Sequence, residues 1–584
     1  MKKTIYTLLG LLLAAGLTSC QDWFIEKPEV TGMDQDEVFS TAKNAEGAIA
    51  EAYATILSSG LPVLVWNNSP IMPYETTEAI MGGEDLCRLT WGYMDKQVVA
   101  GMLANNENNG AGYTDDYFPN NYAYIRKAWL VYENIDKVAD MSDRDKAIVK
   151  AEMQVLVAFR YVEMLKRYGG VPLVESTLTT VDVRPRSTVQ QTLDFIVGLC
   201  DAAAATLEGV RWPADWLGRV NKGVALAVKA EALMYAARPL FNADAPYMQM
   251  ADPANNEMIW LGGYDAKRWA NQEVIDWGKA NGFELIDTGD PIKDYGTAVG
   301  TPSNREVLLA YKQQREADDN GIYKNYTFMP THTGHDLGQY RGTGYGQLCQ
   351  YRKADGTDQT WAGVDDWRPA GEYRDKAEEL EPRAQASLYF YGVNPKNNTG
   401  NSRWDLYQNW QLEYKWQDGC AKNIKFWYEA GSREWFEFPI YRMAEFYLNI
   451  AEAYNEEGNP TMALRYLNDI RRRGGIPDET QTDRVGLRRS IHREWAVEFY
   501  VENQWYPHAR HWKQGASMVG GAKYKFEFSQ AAGVSWNPRK PEEFANYTRK
   551  PSYVPEYTWH ERMSLSPFTL SEVNKGYLVQ NPGY

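Results

Sequence analysis

The chain has 584 residues, of which 44% are hydrophobic, 24% charged and 13% aromatic, with a formal net charge of −15. An acidic surface of this kind repels phosphate backbones and anionic headgroups, so nucleic acid is excluded as a natural partner. Five cysteines (Cys20, Cys87, Cys200, Cys349, Cys420) form neither a CxxC metal knuckle nor a dense disulfide framework, which leaves the pairing of the last four open.

The first element is a leader. Met1-Lys2-Lys3 is its charged start and Thr4 to Gly16 its apolar run. That run is shorter than the ~20 residues a spanning helix needs, and it closes on Leu17-Thr18-Ser19-Cys20. The pattern is a bacterial lipobox, so residues 1–19 are expected to be removed and Cys20 acylated. Loss of Lys2 and Lys3 takes the charge from −15 to −17. No second long apolar stretch follows.

A polar lead precedes a helix expected from about Ser40 to Leu57, with Ile49, Ala52, Tyr53 and Ile56 at helical spacing. Residues 59–121 are rich in Gly, Asn and Pro with scattered Trp and Tyr, a long loop of the kind that carries function. Helical periodicity returns at Tyr122–Ala139 and Ser142–Tyr168. The second of these has Ser142 as N-cap, an apolar stripe from Val149 to Tyr168, and Gly169-Gly170 as its stop. Further helices are expected at Thr188–Leu207, Asn221–Pro239 and Ala266–Ala280. The stretch 320–440 holds 23 aromatic residues in 121, mixed with Asn, Gln, Asp and Arg, and is no simple core. From Tyr441 to Pro477, Ala451, Tyr454, Gly458, Ala463 and Leu467 are spaced as in a tetratricopeptide hairpin. Arg471-Arg472-Arg473 ends its second helix, where cations complement the dipole. The paired helices at 122–168 and 188–239 suggest related hairpins stacked into an α-solenoid; an unrelated helical bundle is the plainer alternative.

Several blocks, in order, resemble the SusD/RagB family of nutrient-uptake outer-membrane lipoproteins. They are Ala158-Phe159-Arg160-Tyr161 leading to Lys166-Arg167-Tyr168-Gly169-Gly170-Val171-Pro172-Leu173; Gly218-Arg219-Val220-Asn221-Lys222-Gly223 with Arg238-Pro239-Leu240-Phe241-Asn242; Phe438-Pro439-Ile440 to Ile476-Pro477; Ile491-His492-Arg493-Glu494 to Arg510-His511-Trp512; and Gln580-Asn581-Pro582-Gly583-Tyr584. The fourth departs from the family pattern at Trp495, Asn503 and Pro507-His508. The resemblance implies a mainly α fold: a leader, then one domain over 20–584. Its helical scaffold would occupy about 40–58, 122–240 and 440–512, packed against an irregular ligand face at about 59–121 and 290–437. It further implies a surface-exposed, lipid-anchored protein of the outer membrane. Such a protein caps a SusC-like TonB-dependent β-barrel and delivers glycan or, in some relatives, peptide.

Flat rings bury the C–H faces of a pyranose while polar side chains bond its hydroxyls. The candidate platforms are Trp66, Trp91, Tyr93, Tyr340, Trp361, Trp367 and Trp404, with Arg341, Gln339 and Asp366 as rim partners. Each ring could equally fill a core, and Trp410, Trp416, Trp427 and Trp435 read as packing. Glu494, Glu498 and Glu502 share one helix face. They read as ion-pair partners of neighbouring arginines such as Arg493 and Arg510, rather than as the two carboxyls of a glycosidase facing each other across a cleft. His332-x-x-His335 and His508-x-x-His511 lack a third zinc ligand. Asp318-Asp319-Asn320 and Asp355-x-x-Asp358 could hold structural calcium but complete no EF-hand loop. No cofactor fingerprint appears. The sequence therefore reads as a non-enzymatic binding protein, with a surface hydrolase and a protein-only adaptor as competing readings.

Overall fold

Helix starts fall where the sequence supplies caps. The computed structural model describes residues 35–58, 118–178, 183–213, 216–268, 273–314, 342–393, 419–423, 425, 435–502, 504–530 and 544–584. After a single turn at Gln35–Val38 come the helices α1 (Ala42–Ser58), α2 (Phe118–Asn134), α3 (Asp143–Tyr168), α4 (Val189–Thr206) and α5 (Lys222–Ala237). Ser142 accepts from the Asp145 amide, Thr188 forms a capping box with Gln191, and Asn221 accepts from the Val224 amide. α2 starts four residues earlier than its periodicity predicts, because Pro119 fits a first turn that needs no intrahelical N–H. The helix expected at 266–280 is a short 3-10 turn, Ala266–Arg268, followed by α6 (Glu273–Ala280).

α1 to α5 pack in sequence, each against the next, and α3 lies at their centre. It buries far more than one stripe. Glu152, Arg160, Glu163, Lys166 and Arg167 on its other faces are buried too. Each has a partner: Glu152 takes Arg219, Arg160 donates to Asn121, and Glu163 binds both Lys166 and Arg167. Gly169 ends the helix at φ 78°, a backbone state that costs glycine nothing. The carbonyls left free there are met from far along the chain. Arg186 and Asn581 both donate to the Tyr168 carbonyl, and Arg186 also donates to the Asn581 side chain.

The second half interleaves helices and short sheets. α7 (Pro291–Gly300) leads to β1 (Val307–Gln314), β2 (Gly342–Thr343) and β3 (Arg368–Pro369). Then come α8 (Ala370–Glu378), α9 (Pro382–Ser387), β4 (Leu388–Tyr389), β5 (Ala421–Asn423) and β6 (Trp435–Arg442). α10 (Met443–Glu456), α11 (Pro460–Arg473), α12 (Arg484–Glu498), α13 (Trp505–His511), β7 (Gly521–Gln530) and β8 (Phe544–Tyr557) follow, with single helical turns at Tyr345–Leu348, Gly515–Met518 and Leu570–Val573 besides. The strands pair antiparallel as β1–β6, β2–β5–β4 and β3–β8–β7. The stretch 290–437 thus carries more regular structure than its loop-like composition suggests.

α10 and α11 form the expected hairpin. Gly458 turns at φ 82°, Ala451 and Ala463 are fully buried, and Tyr454 stacks on Tyr466 at 6.0 Å. A first apolar core lies among α1–α5 and α10–α12. A second, smaller and aromatic core gathers Tyr373, Tyr391, Phe526, Phe528 and Tyr547 beneath the β7–β8 hairpin.

Between them lies a buried ion network. Glu498 receives Arg383, Arg442 and Arg473; Glu494 receives Arg383 and Arg471; Glu502 receives Arg442 and Lys425. Glu306 bridges Arg442 at 3.0 Å and Arg473 at 2.9 Å, and Glu381 holds Arg383 at 2.7 Å. The three glutamates are ion-pair partners, but not of the arginines next to them in sequence. Arg493 turns to Asp358 and the Cys349 and Gln350 carbonyls, and Arg510 to Ser564 and Ser566. Only Arg472 of the basic run faces solvent, while Arg471 and Arg473 are drawn inward. Burial alone would raise the Glu498 pKa; three guanidiniums overcome it and hold the carboxyl well below the carboxylate range.

Removing one member of such a network strands the others in a low dielectric. Glu498→Gln is expected to cost about 3–5 kcal/mol in urea unfolding. Arg472→Ala, on the exposed side of the same hairpin, should change stability by less than about 0.5 kcal/mol.

Candidate functional site

Trp361 and Trp367 are the two proposed platforms within the described residues, and their loop treats them differently. Trp361 leans into the aromatic core, 5.6 Å from Phe526 and 5.9 Å from Tyr373 between ring centres. Six residues later, Trp367 is 44% exposed. The chain between them is pinned to β8. The Arg549 amide donates to the Gly363 carbonyl at 3.2 Å, and the Asp365 amide donates to the Arg549 carbonyl at 3.2 Å. Lys550 pairs with the Asp365 carboxylate. Asp365 sits at φ 59°, a left-handed state that Asp tolerates better than a branched residue would. That residue reverses the chain and sends Asp366, Trp367 and Arg368 outward, before Arg368 and Pro369 pair with Tyr547 and Asn546.

The exposed stretch presents a ring beside a charged pair. Arg368 donates to Asp366 at 2.9 Å, a bond that lowers the Asp366 pKa. On the neighbouring strands the Arg549 guanidinium lies 4.5 Å from the ring centre of Tyr345 and 5.2 Å from that of Tyr524. Two buried donors nearby, Arg549 Nε and Trp361 Nε1, have no hydrogen-bond partner among the described residues. An exposed indole beside the Asp366–Arg368 pair makes a surface suited to a hydroxyl-bearing ligand.

Trp66, Trp91, Tyr93, Gln339, Tyr340, Arg341 and Trp404 lie outside the described residues, as do Cys20 and the His332-x-x-His335 motif. Tyr345, Tyr524 and Arg549 escape the sequence reading. The alternation of aromatics at 524, 526 and 528 is the strand signal that would have located two of their neighbours.

Two-thirds and more of this chain match known family models. The SusD family model covers residues 305–584. A model described as starch-binding, associating with the outer membrane, covers residues 90–231. The chain belongs to the SusD family. A SusD-like protein from Bacteroides fragilis superposes with a TM-score of 0.69 at 23% identity, over 94% of this chain and 98% of that one. A SusD-like carbohydrate-binding protein from the same species gives 0.64 at 17% identity, over 93% and 99%. A SusD superfamily protein from Bacteroides thetaiotaomicron gives 0.57 at 14% identity, over 93% and 99%. At these identities the likeness is one of fold. No curated protein matches the sequence.

Other candidates in this SusD-family chain resolve into structural roles. Asp355 accepts from the Thr357 amide at 2.9 Å and Asp358 pairs with Arg493, and among the described residues no three His, Cys, Asp or Glu side chains gather to hold a metal. His508 accepts from Arg238 at 2.8 Å, and the His511 ring bonds the Lys166 carbonyl at 2.9 Å. Cys200 and Cys420 are both buried. His492 stacks on Trp512 at 3.6 Å.

Burial, aided by the Arg238 charge, pushes the His492 pKa down to about 3, and His508 and His511 well below 6.5. The unfolded chain therefore binds protons that the folded one refuses. Stability from these groups is complete above about pH 6.5 and falls as pH drops toward 3. The urea midpoint should decline between pH 7 and 4. His492→Phe, which keeps the stack, should flatten that decline by about one proton, about 1.4 kcal/mol per pH unit.

Proposed function

We propose that this chain is a non-catalytic surface lipoprotein that captures an oligosaccharide and passes it to a SusC-like TonB-dependent β-barrel. The observation that carries the reading is Trp367. A large indole is held outward, 44% exposed, on a loop fastened at several points to β8 and flanked by the Asp366–Arg368 pair. An indole held outward in this way offers a flat apolar face at a fixed position. A sugar ring covers it while its hydroxyls meet the flanking charges. Trp66, Trp91, Tyr93, Tyr340, Arg341 and Trp404 are the further residues proposed to complete the binding surface.

Family membership supports the same reading, since solved relatives include a protein described as carbohydrate-binding. A hydrolytic role draws no support from Glu494, Glu498 and Glu502. They are sealed from solvent and taken up by guanidiniums and Lys425, which leaves them no access to a substrate. The lipobox at Leu17–Cys20 supplies the anchor, through acylation of Cys20. No described helix is long and apolar enough to cross a membrane.

Calorimetry against a panel of neutral oligosaccharides and short peptides tests the site. Trp367→Ala should weaken oligosaccharide binding about tenfold or more, in line with a lost aromatic contact of about 1.5 kcal/mol, and leave the fold intact. Trp361→Ala should instead lower stability by about 2 kcal/mol, because its ring packs on the core. Selective binding of peptides would redirect the cargo assignment.

Cys20→Ala should move the protein from the membrane pellet to the soluble fraction and abolish fatty-acid labelling. Retention in the pellet would refute the lipid anchor.

A further inference from the structure

A second aromatic cleft lies on the helical side of the molecule, where α1 and the Gly218–Asn221 turn meet the β1–β6 ribbon. Two cavities, of about 230 and 320 Å³, share a wall made by Leu217, Gly218, Arg219 and Lys312. Each is near the lower end of the range that holds a small ligand, about 300–1,000 Å³. Neither contains any residue of the Trp367 loop.

Its walls are cross-braced by hydrogen bonds. The Arg219 guanidinium stacks 4.1 Å from the ring centre of Trp212 and 4.6 Å from that of Trp216. The same side chain is held from behind by Glu152, which also accepts from the Tyr53 hydroxyl at 2.6 Å. Tyr53 in turn accepts from the Val220 amide at 2.9 Å, and the Trp212 indole donates to the Val220 carbonyl at 2.9 Å. Trp277 lines the smaller cavity, stacked on Phe283 and so close to Gly223 that a Cβ there would come within 2.1 Å of the ring. Preorganised walls of this kind spare a ligand the cost of ordering them.

Charge is balanced inside. Lys312 crosses between the cavities with its ammonium 2.8 Å from the Glu437 carboxylate and 3.3 Å from the Ser303 hydroxyl. Arg219 is matched by Glu152. The remaining lining charges, Arg211 in the smaller cavity and Glu46 in the larger, are of opposite sign, so the joined cavities carry no net charge to hold an ion and favour a neutral polyol. Asn281 receives Arg211 and donates to the Trp277 carbonyl, which leaves its amide one hydrogen and one lone pair to spend. At the mouth, Trp216 and Leu217 are 36% and 47% exposed. One indole face is turned to Arg219, and much of the rest of the ring stands in water.

We propose that this cleft is a second glycan-binding subsite that takes one or two neutral sugar units, stacked on Trp216 and hydrogen-bonded along Asn281, Ser303 and Lys312. The inference rests on the reading of the chain as a glycan binder and adds a separately lined site to it. A second contact on the same polymer raises avidity without strengthening either site.

Calorimetry with maltohexaose, xylohexaose and mannohexaose tests it. At least one of these probes should titrate two sites on the unaltered protein. Trp216→Ala should abolish one site or weaken it at least fivefold, with an unchanged thermal melt because the ring is at the surface. Trp216→Phe, which keeps a flat face, should retain the site within about threefold. Trp367→Ala should remove the other site and leave this one. If the unaltered protein binds a probe and Trp216→Ala titrates identically, the second subsite is wrong and the glycan reading stands. If the unaltered protein binds none of the three while its melt is normal, the glycan reading itself falls, and the subsite with it.

Discussion

Glu498 has no access to water, and three arginines from three separate stretches of chain converge on it. Everything on the sheet side of the molecule is positioned through that convergence. Arg383 ties in the start of α9, Arg442 the junction of β6 and α10, and Arg473 the end of α11. Glu306 brings the start of β1 to the same point. The named groups balance: Arg383, Lys425, Arg442, Arg471 and Arg473 face Glu306, Glu381, Glu494, Glu498 and Glu502. A purely apolar joint here could slide, whereas ten charges tolerate only the arrangement that pairs them all. The cost is desolvation; the gain is one defined angle between scaffold and sheets.

A second joint is made by α5. Glu231 on this helix accepts from Lys166 of α3 and from the Tyr441 hydroxyl of β6, and Arg238 just past its end pairs with Glu452 of α10 at 2.8 Å. The early and late helices are thus fixed to each other through side chains of one element. That explains how an aromatic loop after residue 360 can be presented at a fixed angle to helices that begin near residue 42. It also places the Trp216 cleft beside this joint, where α1 and β1 meet.

Much of this was legible in the sequence, and the limits have physical reasons. Caps, glycine stops and the 451–467 hairpin were readable because each is written within a few consecutive residues. Ser142, Thr188, Asn221 and Gly458 all act where they stand. The partners of Glu494, Glu498 and Glu502 were not readable, since the arginines nearest in sequence point elsewhere and those that pair lie 23 to 115 residues away. Trp361 and Trp367 look alike in a one-dimensional reading. The difference between them is made by a left-handed Asp365 and by backbone bonds to β8, a strand that comes about 180 residues later. Trp216 was overlooked for a related reason, because only folding brings the Gly218 turn against Lys312.

The clasp at the end of α3 has a consequence for how this molecule comes into being. Arg186 reaches Asn581 across a sequence separation of 395 residues, and both side chains satisfy the carbonyl of Tyr168. Arg186 lies only 18 residues past Tyr168 and can cover that end early, but Asn581 closes the clasp only after the 413 residues that separate it from Tyr168 have been made. Contacts of such span are reached slowly, and unfinished intermediates expose their apolar faces meanwhile. Closure of this joint should thus come late, after the helices on either side of it have already formed.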